Sequence, residues 1–372
     1  MSESRMDRRE FVRDAAVAAA GVAASTASLG AAKPKEAAPP VNRASILNYN
    51  PDMEYRKLGK TGLMVSAVCL GGHWKRVNTM VKGLFQGDGW LGADIKNSEF
   101  MKNRADVVTR CMEVGINYID ACTGAEVQTY SAALKGRRDK MYLGYSWYEH
   151  ESRFGEWQNS VEKMMQGFDE GLKKCGLDYV DVWRITTQEQ TGKGNTEKQV
   201  EVAMECLDRA KKQGKARFTG VSTHDRNWIA TAVEKYPDQL QVICTPYTAG
   251  SKVLPQHSVF EAVKKCDVGI FGIKPFGGNS LFKSPDSDPN GANAEEDDRL
   301  SRMAIRYILC NPAITAPIPG LINIHQVDNM AKAVKERREL DEKEKAELEL
   351  ATQRMWANLP AGYGWLRNWE YV

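Results

Sequence analysis

The chain has 372 residues, 42% of them hydrophobic and 27% charged, the composition of a soluble globular protein able to bury a full core. At about 150 residues per domain, that length suits two domains or one large barrel. A mean hydropathy of −0.48 excludes a polytopic membrane protein, and a net charge of +3 is too small for an electrostatic nucleic-acid binder.

The first segment reads as an address. Arg8-Arg9-Glu10-Phe11-Val12-Arg13 is a twin-arginine pattern, and the uncharged, Ala-rich stretch 15–32 follows it. Gly30 and Ala32 offer small residues to a signal peptidase. The expectation is a signal peptide over 1–32, handled by the twin-arginine export machinery, and a periplasmic location. A short amphipathic surface helix or a retained membrane anchor is the alternative. Residues 33–52, with Pro34, Pro39, Pro40 and Pro51, read as a flexible linker.

From 53 to 372, apolar runs alternate with helical patterns. Strands are expected at 65–71, 116–120, 140–146, 179–186, 217–222, 240–247, 268–274 and 314–319. Helices are expected at 103–114, 155–174, 196–213 and 228–236, with Gly115, Gly176 and Gly214 as stops. Eight strand–helix units predict a (β/α)₈ barrel, a TIM barrel of class α/β. No GxGxxG follows the first strand, which counts against a doubly wound dinucleotide domain. A glycine-containing turn within 54–66 predicts an N-terminal β-hairpin closing the barrel bottom. In a parallel barrel the strand carboxyl ends face the site. That places Gly71 to Trp74, Asp120, Ser146, Thr186, Ser222 to His224, Tyr247, Lys274 and Gly320 at the mouth.

Those strand ends carry a recognisable pattern. YRKLGKTGLMVSAVCLGG, GINYID, ALKGRRDKMYL, LDYVDV, GKARFTGVSTH, FGIKPFGG and PIPGLINIHQVDNM, in that order over about 53–335, resemble the aldo/keto reductase superfamily. The resemblance implies hydride transfer between NAD(P)H and a carbonyl. It also implies a tyrosine acid, a lysine that tunes it, an aspartate that holds the lysine, and a histidine that orients the substrate. Asp120 falls on the aspartate position. The tyrosine, lysine and histidine positions read Ala125, Ser146 and Thr186. Gly320, Gln326 and Asn329 match the adenine-end pattern at a helix start, where a nucleotide sits well. Ser222 and the stacking Tyr247 are kept, whereas the carboxamide positions read Thr223 and Cys244. Lys274 with Gly277 and Gly278 suits a pyrophosphate. No Lys or Arg lies between Gly320 and Gln326 to meet a 2′-phosphate, so of NAD and NADP the first is slightly preferred.

Other groups are then needed for proton transfer. Tyr130, His73 and His224 are the candidate acids and bases beside Asp120, each with an ordinary packing role as its alternative. Arg184 shares the inward face of Thr186, and a buried guanidinium needs a carboxylate. Asp120 is its candidate partner, which would make Asp120 a counter-ion instead of a catalyst. No metal is expected: the eight cysteines contain no CxxC pair, and the mouth residues lack ligand spacing.

The remaining features are surfaces and covers. The Gly-rich, aromatic stretch 75–102 reads as a lid or binding loop. The runs 286–298 and 335–345 read as solvated surface. Trp356, Tyr363, Trp365, Trp369 and Tyr371, with Arg354 and Arg367, read as a tail packed on the barrel, a sugar-stacking surface, or a homo-oligomer contact. The functional expectation is an exported NAD(P)-dependent oxidoreductase acting on a small carbonyl or sugar-derived substrate with a non-standard proton donor. A non-redox barrel working as a ligand-binding or interaction module, or a lyase or isomerase, is the rival.

Overall fold

A computed structural model describes residues 43–72, 92–153, 155–188, 194–284 and 290–372. The expected signal peptide, most of the linker, His73, and positions 75–91 of the expected lid lie outside the described residues.

Strands β1 (Tyr55–Lys57) and β2 (Met64–Ser66) form the expected antiparallel hairpin, with Tyr55 opposite Ser66. Gly62 turns the chain between them at a φ of 71°, a left-handed conformation open to glycine. Seven parallel strands follow in sequential order. They are β3 (Tyr118–Ala121), β4 (Tyr142–Tyr145), β5 (Val180–Thr186), β6 (Ala216–Ser222), β7 (Val242–Pro246), β8 (Gly269–Ile273) and β9 (Ala316–Pro317). Residues 69–71 close the ring: Leu70 N bonds Tyr118 O at 3.0 Å, and Gly71 N bonds Pro319 O at 2.9 Å. The barrel fold is thus as expected.

One expected strand is divided. The run 65–71 does not continue straight, because Ser66 turns back, its Oγ donating to Val68 O at 2.7 Å and its N to Asn117 Oδ1 at 2.8 Å. Its first half belongs to the hairpin and its second to the barrel.

The helices are α1 (Ser98–Glu113), α2 (Gly124–Ala133), α3 (Val161–Cys175), α4 (Glu197–Lys212), α5 (Arg226–Lys235), α6 (Val259–Lys265), α7 (Ala294–Leu309), α8 (Ile324–Lys335) and α9 (Glu342–Ala357). Caps fix their starts. Asn97 accepts from Glu99 N and Phe100 N, so α1 begins inside the expected lid. Thr196 forms a capping box with Gln199, and Gly176 ends α3 at a φ of 64°. Residues 43–52, expected to be flexible linker, carry fixed contacts. Asn48 and Asn50 donate to Met112 O and Glu113 O, carbonyls in the last turn of α1. Ile46 is buried beside them.

The barrel interior is filled from the bottom by Leu58, Val65, Tyr118, Val182, Val242 and Phe271. Tyr118 and Phe271 rings lie 4.4 Å apart. Above this layer the lining turns polar.

Candidate functional site

The polar layer begins at Asp120 on β3, whose neighbour across the ladder is Gly144 on β4. A Cβ at 144 would stand 2.2 Å from Tyr118 Oη and 2.9 Å from Asp120 Oδ1, so bare backbone there makes room for both side chains. Arg184 on β5 meets the carboxylate side-on, Nε to Oδ1 at 2.7 Å and Nη2 to Oδ2 at 2.5 Å. Both partners are buried, at 2% and 5% exposure. Burial alone would pull the Arg184 guanidinium down, but the facing Asp120 carboxylate outweighs it and holds it well above its ordinary value. Asp120 is therefore the counter-ion of Arg184. Cys244 Sγ lies 4.0 Å from Asp120 Oδ1, and burial pushes that thiol up, so it stays protonated.

A second buried carboxylate stands behind this pair. Glu151 accepts from Ser146 Oγ at 2.7 Å, Trp147 N at 2.9 Å, Thr186 N at 3.0 Å and Trp183 Nε1 at 3.2 Å. Burial raises its carboxyl above the usual range, and the bonds from Thr186, Ser146 and Trp183 draw it back in part. Ser146 is thus a structural donor, turned from the cavity toward Glu151.

Above these groups opens a cavity of about 1150 Å³ at the strand carboxyl ends. Asp120, Arg184, Thr186, Ser222, His224 and Lys274 line it from the strands and the loops that follow them. The register sets Thr186 beside Ser222, and Ser222 beside Cys244. The His224 ring stacks on Trp365, with centroids 4.0 Å apart and planes at 13°. Lys274 has a φ of 60°, uncommon for a residue with a Cβ. Its Nζ stands 5.6 Å from the Tyr363 ring centroid. The cavity continues past Gly320 and Gln326 toward a cleft between α7 and α8.

The sequence and the fold match known proteins. A model of the Aldo/keto reductase family covers residues 87–352. The chain belongs to the aldo/keto reductase family. It is 23% identical to L-galactose dehydrogenase of Arabidopsis thaliana over 304 residues, 76% of this chain and 89% of that protein. It is 24% identical to the uncharacterized oxidoreductase YqkF of Bacillus subtilis over 275 residues, 66% of this chain and 87% of that one. An aldo-keto reductase from Bacillus halodurans, in its holo form, shares the fold at a TM-score of 0.56 and 20% identity. That likeness covers 82% of this chain and 96% of that chain. The chain is an aldo/keto reductase-type oxidoreductase.

Several expected site residues of this aldo/keto reductase are placed elsewhere. Tyr130 lies on α2, fully buried, and its hydroxyl donates to Gly71 O at 2.6 Å. That proton is held by the backbone, and Tyr130 is not among the residues lining the cavity. Tyr247 follows Pro246 by one residue, and strand parity turns it outward. Its ring meets Phe260 of α6 edge-on at 5.6 Å, so it is a packing residue and no stacking platform. Thr223 Oγ1 donates to Gln188 O at 3.0 Å and receives Asp225 N at 3.2 Å, within the loop that starts α5.

The adenine-end residues meet in the α7–α8 cleft. Asn323 caps α8 by accepting from Gln326 N at 2.8 Å, and Gln326 Oε1 accepts from Ile322 N at 3.0 Å. The Asn329 amide receives Arg302 Nη1 at 2.7 Å and gives its hydrogens to Ser301 Oγ and Asp298 O. His325 Nε2 and Asp298 Oδ2 lie 2.6 Å apart. Asp297, in a run expected to be solvated, is buried because its carboxylate accepts from Lys283 N and Ser284 N at 2.8 and 3.0 Å.

Tyr148, Arg153 and Arg354 also line the cavity. The first two were legible as an aromatic and a cation in the loop just past β4. Nothing near Glu151 in sequence marks its burial, which depends on a bond to Thr186 N, 35 residues away. The aromatic tail packs on its own barrel: Trp369 is fully buried and donates from Nε1 to His224 O at 3.0 Å.

Proposed function

We propose that this chain binds a nicotinamide dinucleotide across the strand carboxyl ends and interconverts a carbonyl and an alcohol on a small sugar-derived substrate. The observation that carries the reading is the continuity of the cavity. One opening joins Ser222, Lys274, Gly320 and Gln326 to the Asp120–Arg184 floor. Ser222 would meet the carboxamide, Lys274 the pyrophosphate, and the start of α8 the adenosine end. Gly320 lets the chain pass close to its neighbour in the ring, since a Cβ there would stand 2.6 Å from Gly72 O. A bound reduced nicotinamide supplies the hydride, and one proton must reach the alkoxide from the protein side. NAD is preferred slightly over NADP, because Asp298 and His325 line the adenine cleft and, among the described residues, no Lys or Arg does.

The proton donor is not the family's tyrosine, whose position is Ala125, in the first turn of α2. Asp120 is bound to Arg184, and Tyr130 to Gly71 O. His224 lines the cavity with its ring fixed by Trp365, and we assign it the proton transfer. Replacing His224 with Asn should lower kcat by about 10²-fold or more with dinucleotide affinity kept. Wild-type turnover in that variant would sink the assignment.

The saturated Asn329 amide favours a second reading, a non-redox ligand-binding barrel or lyase. The discriminating experiment is release of dinucleotide from protein purified out of its host, followed by titration with NAD(H) and NADP(H). A stoichiometric or titratable dinucleotide supports the oxidoreductase, and neither supports the second reading.

The Arg8-Arg9 pattern supports work outside the cytoplasm, with cofactor loaded before twin-arginine export. A reporter fused at the end of the chain should reach the periplasm, and Arg8→Lys with Arg9→Lys should stop it.

A further inference from the structure

Two inward residues of one strand hold buried polar atoms that the fold does not complete. Arg184 commits Nε and Nη2 to Asp120, and its Nη1 has no hydrogen-bond partner among the described residues. Two positions along β5, Thr186 Oγ1 has none either. The two residues are 2% and 3% exposed, and both line the floor of the mouth cavity. Buried donors left unpaired are costly, so two of them side by side on a cavity wall point to a ligand that completes them.

The chemistry of the donors narrows that ligand. Arg184 stays charged beside Asp120, so it offers N–H groups and does not give up a proton. Guanidinium and hydroxyl donors together suit an anionic oxygen. The surrounding field agrees. Among the described residues the cavity is lined by Arg153, Arg184, Lys274, Lys283 and Arg354, and by one carboxylate, Asp120. Asp120 offsets Arg184 and Glu296 offsets Lys283, which leaves an excess of cations, Lys274 and Arg354 among them. A recess with an excess of positive charge concentrates anions. Across the opening, Tyr363 and Trp365 present rings of the kind on which sugar faces stack.

We propose that Arg184 Nη1 and Thr186 Oγ1 form a two-donor seat for the carboxylate of a sugar-sized acid, which makes the substrate an acidic carbonyl compound or its alcohol, of the aldonate or uronate type. The inference rests on the oxidoreductase reading for its chemistry, though not for the binding itself.

The test is calorimetric titration of D-gluconate, and of neutral D-glucitol as its size match, onto the full chain without added dinucleotide. Wild type should bind gluconate at least ten-fold tighter than glucitol. Thr186→Val should weaken gluconate about ten-fold and leave the melting temperature unchanged or higher, since the lost hydroxyl has no protein partner. Arg184→Gln alone would strand Asp120, so the neutral pair D120N/R184Q is used to keep the fold. It should abolish the preference for gluconate. Equal binding of gluconate and glucitol overturns the proposal, as does unchanged gluconate affinity in both variants. Displacement of gluconate by NADH also overturns it, because the acid would then occupy the dinucleotide's own anion site. Absence of NADH binding with gluconate binding intact would remove the oxidoreductase reading and leave the seat standing.

Discussion

Asp120 shows how one residue type serves two roles according to its partner. An inward carboxylate at a strand end is a catalyst when a lysine reads it and a counter-ion when an arginine clamps it from the side. Here the clamp is bidentate and both partners are shielded from water. Breaking such a pair by removing one charge leaves the other buried and uncompensated, at a cost of about 3–5 kcal/mol. Asp120→Asn should therefore lose about that much stability in urea titration. The neutral double D120N/R184Q should recover a large part of it, so the two changes are strongly non-additive. Additive losses would mean that the residues act separately. At this scale parity was the most legible signal: alternation alone put Arg184 and Thr186 on one inward face. Tyr247 failed the same rule. Cys244 lies in the inner layer, and counting on from it turns Pro246 inward and residue 247 outward, toward α6. The motif match suggested a stacking ring where the register allows none.

Elements were legible where the period was long and poorly legible where side chains set the ends. The barrel's strands follow from apolar runs because both faces are covered, whereas α1 starts five residues before its expected position because Asn97 caps it. The joint between α7 and α9 was not foreseen. Arg306, 2% exposed, donates Nη1 and Nη2 to the two Glu344 oxygens at 2.8 and 3.0 Å, and also bonds Arg337 O and Glu339 O. Glu344 doubles as the capping-box residue of α9, accepting from Asp341 N at 3.0 Å. The Arg306 guanidinium holds the Glu344 carboxyl below its ordinary 4.5. A lowered carboxylate pKa favours the fold above the unfolded value, and that contribution is lost as pH falls through the folded value. Stability should thus decline below pH 4.5. Glu344→Gln should be less stable at pH 7 and show a shallower loss between about pH 5 and pH 3. An unchanged acid limb in melting curves would place the titrating groups elsewhere.

At the scale of the whole molecule, the site is finished by a segment far from the barrel strands in sequence. Residues 361–369 form a 3₁₀ turn beside the mouth, anchored below and open above. The anchor is Trp369, fully buried, with Nε1 on His224 O and its carbonyl receiving Ser251 Oγ at 2.7 Å. The wall is Trp365, half-buried against the His224 ring, and Tyr363 over Lys274. Composition marked these aromatics without telling which of them packs and which lines the cavity, since that division depends on contacts distant in sequence, such as that of Trp369 with His224, 145 residues away. Two substitutions separate the roles. Trp369→Ala opens a cavity in the core and should cost about 3–5 kcal/mol, with a clear fall in melting temperature. Trp365→Ala removes a ring that faces the opening and should cost under about 1 kcal/mol, as partly exposed sites do. It should nevertheless weaken D-gluconate binding about ten-fold and loosen the His224 ring, visible as exchange broadening of its imidazole resonances. Equal destabilisation by the two changes would show that the tail folds as one rigid block. The mouth would then owe its wall to packing, with no separate provision for a ligand.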